Sequence, residues 1–301
     1  MTAAVIDLGT NTFHLIIAEL SAEAPQVLFK TNLPVKLGEG RINDHIIIPE
    51  AFERGINALK GFKDEINKYN VDVVKAIGTS AIRSAENGQD FVDAAYQRAG
   101  INITVIDGDQ EAAYIYEGVK ATGLIDRTSL IIDIGGGSTE FILCNSDGVL
   151  WKKSYDIGAA RLQQAYFKSD PMSMQDQEAI NQRLETELGD LEQACLLHTP
   201  SQLIGSAGAF ESFATMIHGQ TDIKQLKGMP IDIKGYSNLA TKLISSTHKE
   251  REAFEGLIKL RVDMIVIACL ITNYILHMMS PERLSVSTYD LKMGVLSSLK
   301  V

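Results

Sequence analysis

The chain has 301 residues, a formal net charge of −10 and 45% hydrophobic residues. That length suits two domains, and the apolar content suits a sizeable core. The acidic balance argues against a general nucleic-acid binder, which needs a basic face, but leaves room for a small or linear phosphate compound that is neutralised locally. The chain opens directly at an expected strand with no basic-plus-apolar leader, so no signal peptide is expected. The most apolar stretch, Ile265 to Leu276, falls short of the ~20 residues that span a bilayer. It reads as a buried helix, and no membrane partner is expected. Cys144, Cys195 and Cys269 are far apart and set among apolar residues, which suits reduced thiols in the cytoplasm. No His/Cys cluster has zinc-like spacing, and none of the six histidines is assigned to catalysis.

Ala3 to Ile17 is an apolar β run, an acid at Asp7, a turn over Gly9-Thr10-Asn11-Thr12 and a second β run from Phe13. A third strand is expected over Gln26 to Thr31 and a loop over Lys36 to Arg41. Pro49 then starts a helix with Phe52, Ile56, Leu59 and Ile66 on one face. Val71 to Ile77 is expected as a buried strand. Small hydroxyl residues follow at Thr79 and Ser80, with Arg83 nearby. They make either a ligand edge at a strand's carboxyl end or a helix cap beside a surface arginine. Asn102 to Asp107 is another strand. Gly108 to Val119 is a helix with Glu111 in its first turn. The helix dipole favours an ionised carboxylate there, which could take a proton from water. The residues by themselves favour an ordinary first-turn acid. Ala121 to Arg127 reads as a connector, which divides the chain into domains over 1–120 and 121–301.

The second half begins with the most distinctive stretch, Leu130-Ile131-Ile132-Asp133-Ile134-Gly135-Gly136-Gly137-Ser138-Thr139-Glu140-Phe141-Ile142-Leu143. It reads as strand, tight turn, strand. Three consecutive glycines are expected to free the backbone from its φ restriction and let a row of N–H groups approach an anion. Asp133 is placed to hold a cation beside that anion. A plain hairpin needs only one or two glycines. The stretch also repeats the N-terminal one: Asp133-Ile134-Gly135 aligns with Asp7-Leu8-Gly9, and Phe141 to Leu143 with Phe13 to Ile16 once a residue is inserted. Such a repeat implies two domains of one design whose turns grip a polyphosphate from both sides. Chance likeness of two hairpins is the bland alternative.

A strand over Val149 to Ser154 follows, then a turn over Asp156 to Arg161 that leads into a helix. Ser173 is expected to cap one long helix carrying Ile180, Leu184, Leu188, Leu191 and Cys195 on its core stripe. Gln202 to Glu211 is strand, a small-residue turn over Gly205-Ser206-Ala207-Gly208, then helix. That is either an anion site by geometry or a plain strand–helix joint. His218 to Asp232 reads as a surface loop, Leu284 to Ser287 as a last strand and Asp290 to Lys300 as a terminal helix, with 290–301 free to pack back on the first domain. The doubled βββαβα pattern makes the fold α/β, with a mixed sheet in each domain and a cleft between them.

On these residues the chain resembles the exopolyphosphatase/guanosine pentaphosphate phosphohydrolase (Ppx/GppA) family, short two-domain form, in the actin/hexokinase/Hsp70 superfamily. The likeness is carried by Ile6 to Leu15, Gly78 to Gly88, Glu111 to Val119, Asp133 to Glu140, Asp156 to Leu162, Arg261 to Asp263 and Ser287 to Gly294. It implies two ribonuclease H-like (actin-like ATPase) domains and an enzyme that uses Mg²⁺ or another divalent cation. The implied reaction removes the terminal phosphate of inorganic polyphosphate, of pppGpp, or of both. Glu111 is implied as general base, and Asp7, Asp133 and Glu140 as metal-binding acids. Gly9, Thr10, Asn11, Thr12, Arg83, Gly135, Gly136, Gly137, Ser138, Gly205, Ser206, Ala207 and Gly208 are implied as phosphate-binding. The partners so implied are polyphosphate or guanosine penta- or tetraphosphate, and a homodimer is the oligomer considered. Two departures stand out. Gln110 and Ala113 flank the base where the family often has Glu and Arg, and Lys292 stands where it often has Arg, without that residue's bidentate fork. The alternatives are an ATP-using kinase or ATPase of the same superfamily, and a non-enzymatic regulator that binds polyphosphate or (p)ppGpp.

Overall fold

The structure is a computed structural model, and it describes residues 1–21, 24–206, 208–219 and 223–299. The first half holds strands β1 (Thr2–Leu8), β2 (Phe13–Glu19) and β3 (Gln26–Leu33), helix α1 (Pro49–Lys68), strand β4 (Val73–Gly78), helices α2 (Ser80–Ser84) and α3 (Gly88–Ala99), strand β5 (Ile103–Val105) and helix α4 (Gly108–Lys120). The second half opens the same way with β6 (Ser129–Ile134), β7 (Thr139–Asn145) and β8 (Gly148–Tyr155). Helices α5 (Ala159–Tyr166), α6 (Met174–Glu187) and α7 (Gly189–His198) follow, then β9 (Gln202–Ser206) and α8 (Gly208–His218). The chain ends through β10 (Gly228–Ile231), α9 (Ile233–Ile244), α10 (His248–Glu252), α11 (Ile265–Met279), β11 (Arg283–Ser287) and α12 (Leu291–Ser298).

The two sheets share one topology. The first runs β3-β2-β1-β4-β5, and the second runs β8-β7-β6-β9-β11 with β10 added at the edge. In each, the central strand pairs antiparallel with the hairpin partner after it and parallel with the strand that follows the first helical crossover. The expected α/β fold of two mixed sheets is therefore present, and the repeat extends one strand and one helix further than βββαβα.

Strand alternation sorts the core into three parts. Ala4, Ile6 and Leu8 face α1 and α3, while Leu130, Ile132 and Ile134 face the helices of the second half. Ala3 and Val5 on one sheet and Ile131 and Ile142 on the other point inward to a shared layer filled by α4 and α12. The terminal helix thus packs on α4 and β1, in backbone-to-backbone contact. A Cβ at Gly294 would lie 1.8 Å from the Tyr114 carbonyl oxygen, and one at Gly118 would lie 2.2 Å from that of Asp290.

Four expectations change. The strand expected over Val71 to Ile77 buries only its last residues, because Val74 and Lys75 face solvent near the sheet's end. The long helix after Ser173 breaks at Leu188, so α7 starts afresh at Gly189. All five stripe residues stay buried, and the break lets Asp190 accept a 2.5 Å hydrogen bond from the Tyr155 hydroxyl. The loop expected over His218 to Asp232 contains β10, whose Pro230 is tolerated because the strand lies at a sheet edge. Finally, the two hairpins need no insertion. Asp7 pairs with His14 and Asp133 with Glu140, each seven residues on, so Phe13 corresponds to Thr139 and His14 to Glu140. Phe141 therefore corresponds to Leu15, two residues beyond Phe13 and on the same face of the strand.

Helix α11, the apolar stretch at 265–279, is buried from Ile265 to Thr272 and at Ile275, and no described helix is long and apolar enough to cross a membrane. Because α4 and α12 meet through bare backbone, Gly294→Ala is expected to cost about 1–3 kcal/mol of stability. Urea denaturation would measure this, and an unchanged midpoint would contradict the packing.

Candidate active site

The central strands β1 and β6 end in Asp7 and Asp133, and each is followed by a tight turn into the next strand. A cavity of about 700 Å³ lies where these ends meet. Asp7, Gly9, Thr10, Asn11 and Thr12 line it from the first half. Asp133, Gly135, Gly136, Gly137, Ser138, Glu140 and Gly208 line it from the second. Glu111, in the first turn of α4, also faces the cavity. Asp107 caps that helix by accepting a 2.8 Å hydrogen bond from the Gln110 amide, which fixes the turn that carries Glu111.

Three residues named from the sequence stand elsewhere. Arg83 is not part of the cavity lining; its Nη1 donates to Glu111 Oε2 at 2.9 Å and to the Ile106 carbonyl at 3.0 Å. Its guanidinium orients the carboxylate. Gly205 lies under the Phe210 ring, where a Cβ would sit 1.9 Å from the ring, so packing demands that glycine. Ser206 is likewise outside the lining, but its hydroxyl donates to Asp133 Oδ2 at 2.8 Å. Ala207 lies outside the described residues. Gly208, at φ +53°, starts α8 in the left-handed region that favours glycine.

The triple glycine has a different cause from the one expected. None of Gly135, Gly136 and Gly137 has a positive φ. A Cβ at Gly135 would meet the Ser138 carbonyl oxygen of the same turn at 2.9 Å, whereas at Gly136 and Gly137 other chain segments approach closely. A Cβ at Gly136 would lie 2.9 Å from Thr10 Cβ, and one at Gly137 would lie 2.5 Å from Ser80 Oγ. The turn's carbonyls are held from behind. The Ala159 amide donates to Gly135 O at 2.8 Å, and the Ala160 amide to Gly136 O at 2.8 Å. Arg161 Nε donates to Gly137 O at 3.1 Å. In a trans peptide N–H points opposite to C=O, so the amides of Gly136, Gly137 and Ser138 are turned away from α5. The first turn is held the same way: the Lys36 and Gly38 amides donate to the Asn11 and Thr10 carbonyls at 2.7 and 3.1 Å. Arg161 also joins the halves, donating from Nη1 to the Ile42 carbonyl at 3.2 Å. Lys36 pairs with Asp263 across the same seam at 3.2 Å.

The charge in the cavity is crowded. Asp133 and Glu140 are directly opposed on neighbouring strands, an arrangement that like charges disfavour. Burial pushes Asp7 up to about 6, opposed by Lys292. Burial pushes Glu111 up to about 7 despite the Arg83 guanidinium, with the charge of Asp7 adding to the rise. Asp133 is pushed to about 7 by burial and by Asp290, against the Ser206 hydrogen bond. Glu140, which accepts a 2.7 Å hydrogen bond from Ser154, is driven well upward by burial and by Glu111 and Asp133. Four cations that sequence reasoning assigned no role line the cavity as well, Lys30, Lys227, Arg261 and Lys292, and the last two stand among the acids. Arg261 lies beside Gly208, and Lys292 pairs with Asp290 and lies 3.6 Å from Asp7. Both belong to stretches that carried the family likeness, and that was the available signal.

Among the described residues no three His, Cys, Asp or Glu side chains form a ready metal cage. An oxygen-only donor set spread along a cavity suits Mg²⁺, which keeps much of its water and takes one or two carboxylates together with phosphate oxygens.

This site belongs to a two-domain α/β protein of the actin-like class, in which acid-turn hairpins from both halves face one interdomain cleft. The chain belongs to the Ppx/GppA phosphatase family, whose pattern matches residues 16–300. It is similar to an exopolyphosphatase structure from Cytophaga hutchinsonii, with 36% identity, a TM-score of 0.96, and coverage of 99% of this chain and 97% of that one. The PPX-GPPA enzyme of Aquifex aeolicus superposes with a TM-score of 0.82 at 25% identity, covering 99% of both chains. A putative exopolyphosphatase of Haemophilus influenzae is 28% identical over 99% of this chain and 91% of its own length. The chain spans only 43% of a guanosine-5'-triphosphate,3'-diphosphate pyrophosphatase from Pseudoalteromonas atlantica, which is 28% identical over 72% of this chain.

The raised acids set a pH dependence. Over about pH 5 to 7 the folded chain holds protons on Asp7, Glu111, Asp133 and Glu140 that the unfolded chain has released, so stability falls as pH rises through that window. His14 opposes this below about pH 6.5 with a single group, since burial, Lys292 and Arg261 hold it neutral in the fold. Asp190 and Asp263, whose values are lowered, act below about pH 4. Without divalent cation the melting temperature is expected to fall between about pH 5 and pH 7, and Mg²⁺ to raise it more at the upper value. Differential scanning fluorimetry reads both, and a metal-free melting temperature that climbs across this range would contradict the charge assignment.

Proposed function

We propose that this protein hydrolyses the terminal phosphoanhydride of a linear phosphate chain, either inorganic polyphosphate or the 5′-triphosphate of pppGpp. The reading rests on one observation above others: Glu111, with its pKa pushed to about 7, faces the same cavity as both acid-turn hairpins. Membership of the family and the names of its relatives support it.

The terminal phosphoryl group would lie between the turn over 9–12 and the turn over 135–138, with backbone amides and the Thr10 and Ser138 hydroxyls donating to its oxygens. Asp133 and Glu140, with Asp7 opposite, would hold the divalent cation, for which Mg²⁺ is the choice. When bound, that ion supplies charge neutralisation to the phosphoryl oxygens. Glu111 takes a proton from the attacking water. A carboxylate near pKa 7 is ionised in a useful fraction at neutral pH while keeping the basicity a general base needs. Arg83, bonded to that carboxylate, holds it in place. Phosphoryl transfer asks mainly for positioning and electrostatic stabilisation, and these residues supply both. The three thiols, all buried and unbridged, support a cytoplasmic location.

Glu111→Gln is expected to lower phosphate release by ~10²–10⁴-fold while ligand binding persists. Release should be assayed on tripolyphosphate, long polyphosphate, pppGpp and ATP with Mg²⁺. Release from polyphosphate or pppGpp with no acceptor present supports a hydrolase. Turnover of ATP alone would favour a kinase or ATPase, and tight binding without release at any Mg²⁺ concentration would favour a regulator.

A further inference from the structure

Ser80 opens α2 at the carboxyl end of β4 and is only 2% exposed. Its hydroxyl is one of three buried side-chain polar atoms among the described residues that lack a hydrogen-bond partner. It lines the cavity and lies against the glycine turn, where a Cβ at Gly137 would come within 2.5 Å of Ser80 Oγ and 2.7 Å of Thr10 Oγ1. A second of the three atoms is Arg161 Nη2, on the side chain whose Nε holds the Gly137 carbonyl. Arg161 Nη2 still has Asp156 Oδ1 at 3.6 Å as an ion-pair partner, which leaves Ser80 Oγ as the unpaired atom beside the turn.

An unpaired buried hydroxyl weakens a fold, whereas an alanine of nearly the same shape would not. Its presence at a cavity wall calls for a partner that the protein alone does not provide. We infer that Ser80 Oγ is a substrate-binding donor to the terminal phosphoryl group, completed only when that group separates the Gly136–Gly137 turn from Thr10 and Ser80. A phosphate oxygen is a charged acceptor and matches the one proton a hydroxyl can give. Thr10 and Ser80 then present hydroxyls from one side and the turn presents its amides from the other. This assignment rests on the proposed hydrolase reading and adds a residue to it.

The test uses full-length protein in the Glu111→Gln background, where turnover does not interfere. Calorimetry with Mg²⁺ and tripolyphosphate, and in a separate arm pppGpp, compares the parent with the added Ser80→Ala and Ser80→Cys changes. The cysteine keeps the side-chain shape with a slightly larger atom and gives only a weak donor. Both changes are expected to weaken affinity about tenfold, while the ligand-free melting temperature stays level or rises. Unchanged affinity in both variants overturns the inference. So does a loss of affinity that comes with a lower ligand-free melting temperature, since that marks a structural role. If the parent binds neither probe and the wild-type chain releases no phosphate, the hydrolase reading fails and takes this assignment with it. If the wild-type chain turns over and the Ser80 variants bind like the parent, only the Ser80 assignment fails.

Discussion

Six carboxylates, Asp7, Glu111, Asp133, Glu140, Glu211 and Asp290, line one cavity between two sheets. Carboxylates taken out of water repel each other strongly and lose hydration, so they must keep protons or gain cations. Much of the architecture follows from meeting that demand. Ser206 and Ser154 donate to two of the acids, Arg83 braces a third, and Lys292 returns on the last helix to stand between Asp7 and Asp290. Arg261 adds positive charge beside Glu211, Asp133 and Asp290, and a cavity lined by so many carboxylates suits a divalent cation and phosphate oxygens arriving together.

The duplicated sheet explains how the acids meet. Each half places an acid at the end of its central strand and turns the chain sharply after it, so two halves facing across α4 and α12 bring the two acids to one place. The halves are not equal. The position opposite Asp7 is His14, whereas the position opposite Asp133 is Glu140. Opposed carboxylates therefore occur on the second hairpin alone, and the first carries Thr10, Asn11 and Thr12 in its turn. The added edge strand β10 and the larger helical layer also belong to the second half, and they present Arg261 on the short segment before α11.

The closeness of the halves rests on missing side chains. Gly136 and Gly137 admit Thr10 and Ser80, Gly158 admits the glycine turn, and Gly118 and Gly294 let α4 and α12 touch backbone to backbone. Arg161 then ties the glycine turn to the first half through Gly137 and Ile42. Space, rather than unusual φ, is what these glycines provide, and the same tight seam leaves the Ser80 hydroxyl without a partner.

A large part of the fold could be read from the chain alone. Apolar runs ending in Asp7 and Asp133, followed by glycine turns, are local patterns, and local patterns fix strand, turn and helix through backbone sterics and side-chain periodicity. The buried stripe of α6 and α7 was equally legible, although its break at Leu188 was not: Asp190 at the start of α7 is bonded by Tyr155 and Lys153, residues distant in sequence. β10 was hidden by its glycine and proline, since only the sheet decides that the strand lies at an edge. For the candidate site, residue types and motif likeness marked the turns and Glu111. Only the tertiary structure decided that Arg83 serves Glu111, that Gly205 serves Phe210, and that Arg261 and Lys292 enter the cavity. The sequence by itself determined the duplicated acid-turn hairpins and the α/β class. The charge balance of the cavity and the reason for its glycines came from long-range packing, because repulsion, burial and close approach exist only between segments that the fold brings together.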